Sequence, residues 1–239
     1  MRNILTIARK EAITYFSSPL AYVIAAVFLM VSSVFFIADL QSTELARLTG
    51  FLFGAIVLLT VIAPILTMRL VAEELKLGTL ELLMTAPVRE SEIVVGKFLG
   101  AFATLFAMLL LTWFYPIILD LGGGEPDYGP VFSGYIGLLL FGSAFMAIGL
   151  LASCITSNQI LSAVVGLGLL LILWLASAAG TLVQNVEWAK GIINYVSLTN
   201  IYVDFLRGVI DTKAVIFLLS ITATMLFAAT RAVEARRWR

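Results

Sequence analysis

Charge is missing from five long stretches of this sequence: between Glu11 and Asp39, Arg47 and Arg69, Lys97 and Asp120, Asp127 and Glu187, and Lys213 and Arg231. A charged side chain at a bilayer centre costs about 2.5–3.5 kcal/mol on insertion scales, and a spanning helix needs about 20 apolar residues, so such stretches read as membrane spans. The fourth stretch is too long for one helix, and Thr156-Ser157-Asn158-Gln159 supplies the polar break at which the chain turns back. Six transmembrane helices are therefore expected, at about Leu20–Ala38, Phe51–Met68, Phe98–Leu119, Phe132–Ile155, Ile160–Val183 and Ala214–Thr230. The composition agrees, with 61% hydrophobic and 13% charged residues where soluble domains average about 45–50% and about 25%. The expected fold is an all-α polytopic membrane protein in which residues 1–239 form one domain.

The remaining charges set the orientation. Three Lys or Arg precede the first span, four lie between spans two and three, and four follow the last, whereas the opposite side carries only Arg47, Lys190, Arg207 and Lys213. Cytoplasmic loops are enriched in Lys and Arg, which places both termini and the 69–97 loop in the cytoplasm. Residues 1–19 carry Ile4, Leu5, Ala8, Ala12, Tyr15 and Phe16 at helical spacing against polar Arg2, Arg9, Lys10 and Thr14. That pattern suits a helix lying at the membrane interface, with anchoring and docking both open as its role. The following charge-free stretch outruns a signal-peptide core, so the first span is expected to stay attached.

Other absences narrow the chemistry. There is no histidine and one cysteine, Cys154, which removes His-based nucleophilic triads, His-ligated zinc and an internal disulfide. The net charge is zero, so nucleic acid is not an expected partner. The expected spans hold no acid or lysine of the kind that couples transport to an ion gradient. Gly96-Lys97 has Ser91 where a phosphate loop needs its first glycine and Phe98 where it needs Ser or Thr. Small residues at Gly50/Gly54, Gly96/Gly100 and Ser143/Ala147 allow close helix approach, within the chain or across a dimer.

The loop from Arg69 to Lys97 is the most charged segment, with four bases and five acids. Helix is expected to continue through Arg69–Leu77, stop at Gly78, restart with Thr79 as cap and Glu81 in its first turn, and end before Pro87. Ser91 is expected to cap the third span, with Glu92 near its positive end. Leu75, Leu77, Leu80, Leu82, Leu83 and Met84 give this cytoplasmic hairpin an apolar surface, suited to a partner or to lipid headgroups.

The run Arg69-Leu70-Val71-Ala72-Glu73-Glu74, then Gly78-Thr79-Leu80-Glu81-Leu82-Leu83, Pro87 and Gly96-Lys97, resembles the cytoplasmic loop of ABC-2-type permeases. Phe205-Leu206-Arg207-Gly208-Val209-Ile210-Asp211-Thr212 is similar to the gliding-motility-associated, GldF-like branch of that family, although Ser197-Leu198 lacks the proline expected before it. The resemblance implies an interfacial N-terminal helix and a coupling helix seated in a separate nucleotide-binding ATPase subunit. It also implies a second permease subunit, a heterodimer being favoured over a homodimer. The coupling residues would be Glu73, Glu74, Gly78, Thr79, Leu80, Glu81, Leu82, Leu83, Met84 and Pro87, and the extracytoplasmic motif Arg207, Gly208 and Asp211. ATP and Mg belong on the partner, and this chain would bind no cofactor, hold no catalytic residue or metal and not itself be an enzyme. The 184–213 segment, with Trp188, Ile192, Ile193, Tyr195, Ile201, Tyr202 and Phe205, resembles the part of the family that folds back into the outer leaflet.

The expected function is the membrane subunit of an ATP-driven exporter in the bacterial cytoplasmic (inner) membrane, in contact with lipid. The alternative is a non-transporting scaffold that passes ATPase-driven movement to an extracytoplasmic motility or secretion machine. An intramembrane hydrolase is a third class, disfavoured by the missing histidine and intramembrane acids.

Overall fold

In the computed structural model, residues 2–42, 48–85, 87–124, 126–182 and 198–236 are described, the side chains of residues 2, 42, 82, 84 and 176–182 excepted. Eleven helices and no strand occur among them. They are α1 (Arg2–Phe16), α2 (Pro19–Ser42), α3 (Thr49–Thr67), α4 (Ala72–Leu77), α5 (Thr79–Thr85), α6 (Glu90–Leu111), α7 (Phe114–Leu121), α8 (Tyr128–Ile155), α9 (Gln159–Leu182), α10 (Leu198–Leu206) and α11 (Thr212–Arg236). Five stretches are long and apolar enough to cross a membrane: Pro19–Gln41, Thr49–Leu77, Glu90–Leu121, Tyr128–Ile155 and Thr212–Arg236. The other expected span coincides with α9, whose apolar part among the described side chains runs Gln159–Leu175.

The bundle is built around α8, 78% buried in its apolar window, against 28% for α2 and 22% for α11. Helices α3, α9, α10 and α11 pack on α8, while α1 packs chiefly along α6. All three small-residue pairs turn inward within the chain. Gly50 and Gly54 meet Asp39 and Phe35 of α2, Gly96 and Gly100 meet α1, and Ser143 shares a 3.2 Å hydrogen bond with Thr222 of α11 while Ala147 is fully buried.

Two expected continuous helices are broken, each for a visible reason. A helix running on through Arg69–Leu77 would bond the Ala72 N–H to the Met68 carbonyl. Instead the Ser153 hydroxyl inserts between them, accepting from Ala72 N–H at 2.9 Å and Val71 N–H at 3.1 Å and donating to the Met68 carbonyl at 3.0 Å. The chain turns there and restarts as α4. The third span begins earlier than expected, at Glu90, and breaks at Thr112-Trp113 before α7. Pro116 has no N–H for the Thr112 carbonyl four residues back, and the Tyr135 hydroxyl donates to that carbonyl at 3.0 Å instead.

Candidate functional site

One end of the bundle gathers α1, the end of α3, the α4–α5 hairpin, the start of α6 and the ends of α8 and α11. Gly78 closes α4 in the left-handed region at φ 69°, where a side chain would be strained. Thr79 is already inside α5 and donates back to the Glu74 carbonyl at 3.5 Å, so it is not the expected accepting cap. Ser91 does not cap α6 either. Arg89 stands at the N-cap, and the Glu92 carboxylate accepts from its N–H at 3.1 Å and from the Asn3 amide of α1 at 3.2 Å.

Of the six apolar residues expected on the surface of the hairpin, Leu77 faces outward and Leu75, Leu80 and Leu83 turn toward the bundle. Leu80 is 2% exposed and belongs to the core, and Leu75 and Leu83 pack against that core. Outward-facing positions are Lys76, Leu77 (66% exposed), Gly78, Thr79, Glu81, Thr85 and Pro87. The side chains of Leu82 and Met84 lie outside the described set.

The two adjacent acids diverge. Glu73 is half-exposed and lies 3.9 Å from Arg69, which donates to the Ser18 hydroxyl at 3.2 Å and covers the Tyr15 ring. Tyr15 donates in turn to the Leu66 carbonyl, fastening α1 to the end of α3, and burial pushes its phenol well above the ordinary value. Glu74, by contrast, points inward. The Lys97 ammonium, 1% exposed, donates to Glu74 Oε1 at 2.7 Å and to Glu11 Oε1 at 2.9 Å, and Lys10 stands 3.9 Å from both carboxylates. Three helices meet at this ammonium: α1 through Glu11, α4 through Glu74 and α6 through Lys97. The second Glu74 oxygen is buried with no hydrogen-bond partner among the described residues.

Sequence reasoning missed Lys97 and Glu11 because 86 residues separate them. The available signal was that each is the charge bordering a charge-free stretch. It also missed Arg236, which donates to the carbonyls of Cys154 and Ile155 at 3.1 and 2.6 Å and so caps α8.

At the opposite end, Arg207 is exposed and 3.9 Å from Asp204, Gly208 turns the chain at φ 87°, and Asp211 accepts from the Lys213 N–H at 2.9 Å at the start of α11. Arg207 and Asp127 sit on the wall of a cavity of about 670 Å³ otherwise lined largely by apolar residues such as Leu52, Phe53 and Leu206. Trp188, Ile192, Ile193 and Tyr195 lie outside the described residues. Of the same apolar set, Tyr202 and Phe205 are fully buried, and Tyr202 donates to the Leu52 carbonyl at 3.0 Å.

Several apolar helices packed around a buried central one define a multi-pass membrane protein. A family model for ABC-2 family transporter proteins matches residues 5–231, and the chain belongs to that family. It is thus a permease component of an ABC transporter, and membership implies association with an ATPase subunit. No curated protein matches the chain.

Proposed function

We propose that this chain is the membrane-spanning subunit of an ABC-2-type exporter in which the α4–α5 hairpin receives the movement of a separate ATPase. The observation that carries the reading is the hairpin itself: two short helices at the basic end of the bundle, presenting Leu77, Thr79 and Glu81 outward while Leu80 and Glu74 hold them to the core. An exposed apolar residue beside a carboxylate suits a docking groove, the first supplying affinity and the second register. ATP and Mg then act on the partner, and this chain contributes movement and a path, not catalysis.

In this reading there are six spans, α1 lies at the cytoplasmic interface, and both termini and the hairpin are cytoplasmic in the bacterial inner membrane. A second permease chain completes the path, as a heterodimer in preference to a homodimer. The Phe205–Thr212 similarity supports a place in the gliding-motility branch, where the ATPase-driven movement could serve export or an external machine.

The test is co-purification from the native host. Tagged chain is expected to recover a soluble nucleotide-binding subunit and to raise its ATP turnover, while the chain alone hydrolyses nothing. Turnover by the purified chain, or a hairpin reached only by a reporter active outside the cytoplasm when fused at Gly78 and not at Gly123, overturns the assignment.

A further inference from the structure

We propose that Lys97 is a positioning residue through which the hairpin moves the rest of the bundle, with Glu11 as its fixed arm and Glu74 as its releasable arm. The proposal rests on the permease reading and deepens it.

The asymmetry of the arms lies in what surrounds them. Glu11 belongs to a helix pressed against α6 at backbone distance: a Cβ built on Gly100 would stand 2.5 Å from the Glu11 Cβ and 2.9 Å from the Ala8 carbonyl, and one on Gly96 would stand 2.8 Å from the Ile7 Cβ. Helices in such contact move as one body, so the Glu11–Lys97 bond lies inside a rigid pair. Glu74 reaches the same ammonium from a helix of six residues. Among the described residues its hairpin is otherwise held by the buried Ala72 and Leu80, by the packing of Leu75 and Leu83, and by the Ser153 hydroxyl. Glu74 is the carboxylate with the vacant buried oxygen, and its side chain is more exposed than that of Glu11, 18% against 10%.

A buried ion with an unmet acceptor is costly to leave in place and is stabilised when it is rehydrated or repaired elsewhere. The Glu74–Lys97 bond is therefore the arm that can open toward solvent with the hairpin, whereas opening Glu11–Lys97 would require separating α1 from α6. A pull on the outer face of the hairpin reaches α1 and α6 first through Glu74. Lys10, which stands 3.9 Å from both carboxylates, is placed to keep Glu11 compensated while the Glu74 arm is open. Arg69 and Glu73 form a neighbouring pair that faces the end of α1 through Tyr15 and the α1–α2 junction through Ser18, apart from the Lys97 site.

The experiment compares wild type with Glu74→Gln, which keeps the volume and an acceptor but removes the charge. Two measurements are made on the full chain: MgATP hydrolysis of the complex with its ATPase subunit, with ATPase affinity read separately, and hydrogen exchange of the isolated chain in lipid nanodiscs. The variant is expected to bind the ATPase within about twofold of wild type while losing stimulation on the order of tenfold, the usual scale of coupling between sites. Amides of residues 72–85 are expected to exchange faster, with those of α1 and α6 unchanged. Equal loss of ATPase affinity and stimulation makes Glu74 a docking residue and overturns the proposal. So does unchanged stimulation, or faster exchange spread over α1 and α6, which assigns Glu74 a structural role. If the wild-type complex shows no stimulation, the permease reading fails, and hydrogen exchange still decides whether Glu74 is the releasable arm.

Discussion

The two surfaces that meet at Lys97 are built on opposite principles. Between α1 and α6 the backbones come close where side chains are missing, at Gly96 and Gly100, and the Asn3–Glu92 and Glu11–Lys97 bonds lie along that close contact. Between the hairpin and the bundle the contact is made, among the described residues, by a few directed bonds, those of Glu74 and Ser153, and by the packing of Ala72 and three leucines. Close-packed contacts have one arrangement, whereas a handful of polar bonds over a short helix can be exchanged one at a time. The same end of the molecule therefore carries a rigid strut and an element able to move against it.

Removing the shared ion tests both surfaces at once and has the largest expected effect. Lys97→Met leaves the buried Glu11 carboxylate, and the partly buried Glu74 one, with only Lys10 nearby, and stranding buried charge in this way costs about 3–5 kcal/mol. Thermal unfolding in detergent should show the loss. Adding Glu11→Leu and Glu74→Leu should restore most of it, since apolar replacement of a buried ionic group is often neutral. If Lys97→Met melts as wild type does, the ionic contacts contribute nothing.

The strut alone is tested by Gly100→Ala. The new methyl would stand 2.9 Å from the backbone carbonyl of Ala8, which cannot swing aside as a side chain can, so α1 must lift from α6. Overpacking of this kind costs about 1–3 kcal/mol. Melting should report it, with faster hydrogen exchange over Arg2–Phe16. The hairpin's polar seat is tested by Ser153→Ala, which strands the Val71 and Ala72 N–H groups. About 1–2 kcal/mol is expected, confined to exchange in residues 68–85 and absent from α1.

Much of this architecture was legible from the sequence. Charge-free stretches located α2, α3, α8 and α9 to within about a turn and α11 to within about two, because a low-dielectric solvent penalises any charge placed inside it. Gly78 was legible as a helix stop because only glycine is comfortable at positive φ, whereas the turn at Gly208 came from the structure. The breaks at Met68–Val71 and at Thr112-Trp113 were not. The first depends on Ser153, 81 residues from Ala72, and the second on how Pro116 disturbs a run that hydropathy reads as uniform. Facing was the other loss: α5 has seven residues rich in leucine, so no periodicity separates its buried Leu80 from its solvent side. Glu73 and Glu74 look alike in the sequence, and only the position of Lys97 distinguishes them.

The outermost part of the hairpin should show the smallest effect on stability and the most selective effect on partnership. Leu77 is exposed and ends α4 next to the Gly78 turn, outside the core that the anchoring leucines join. Leu77→Asp therefore exchanges an apolar side chain for a charged one where water already reaches it, and melting should stay within about 0.5 kcal/mol of wild type, as at ordinary surface sites. If Leu77 is the residue that enters the ATPase groove, the carboxylate must be desolvated there. Loss of an apolar anchor at the centre of a small interface then weakens binding by about tenfold or more, roughly 1.4 kcal/mol. Titration of the ATPase subunit onto nanodisc-embedded protein measures it, with Glu81→Lys alongside as a test of register. Full affinity in both variants would leave the outer face of α4–α5 without a partner and would move the docking surface to another part of this end of the bundle.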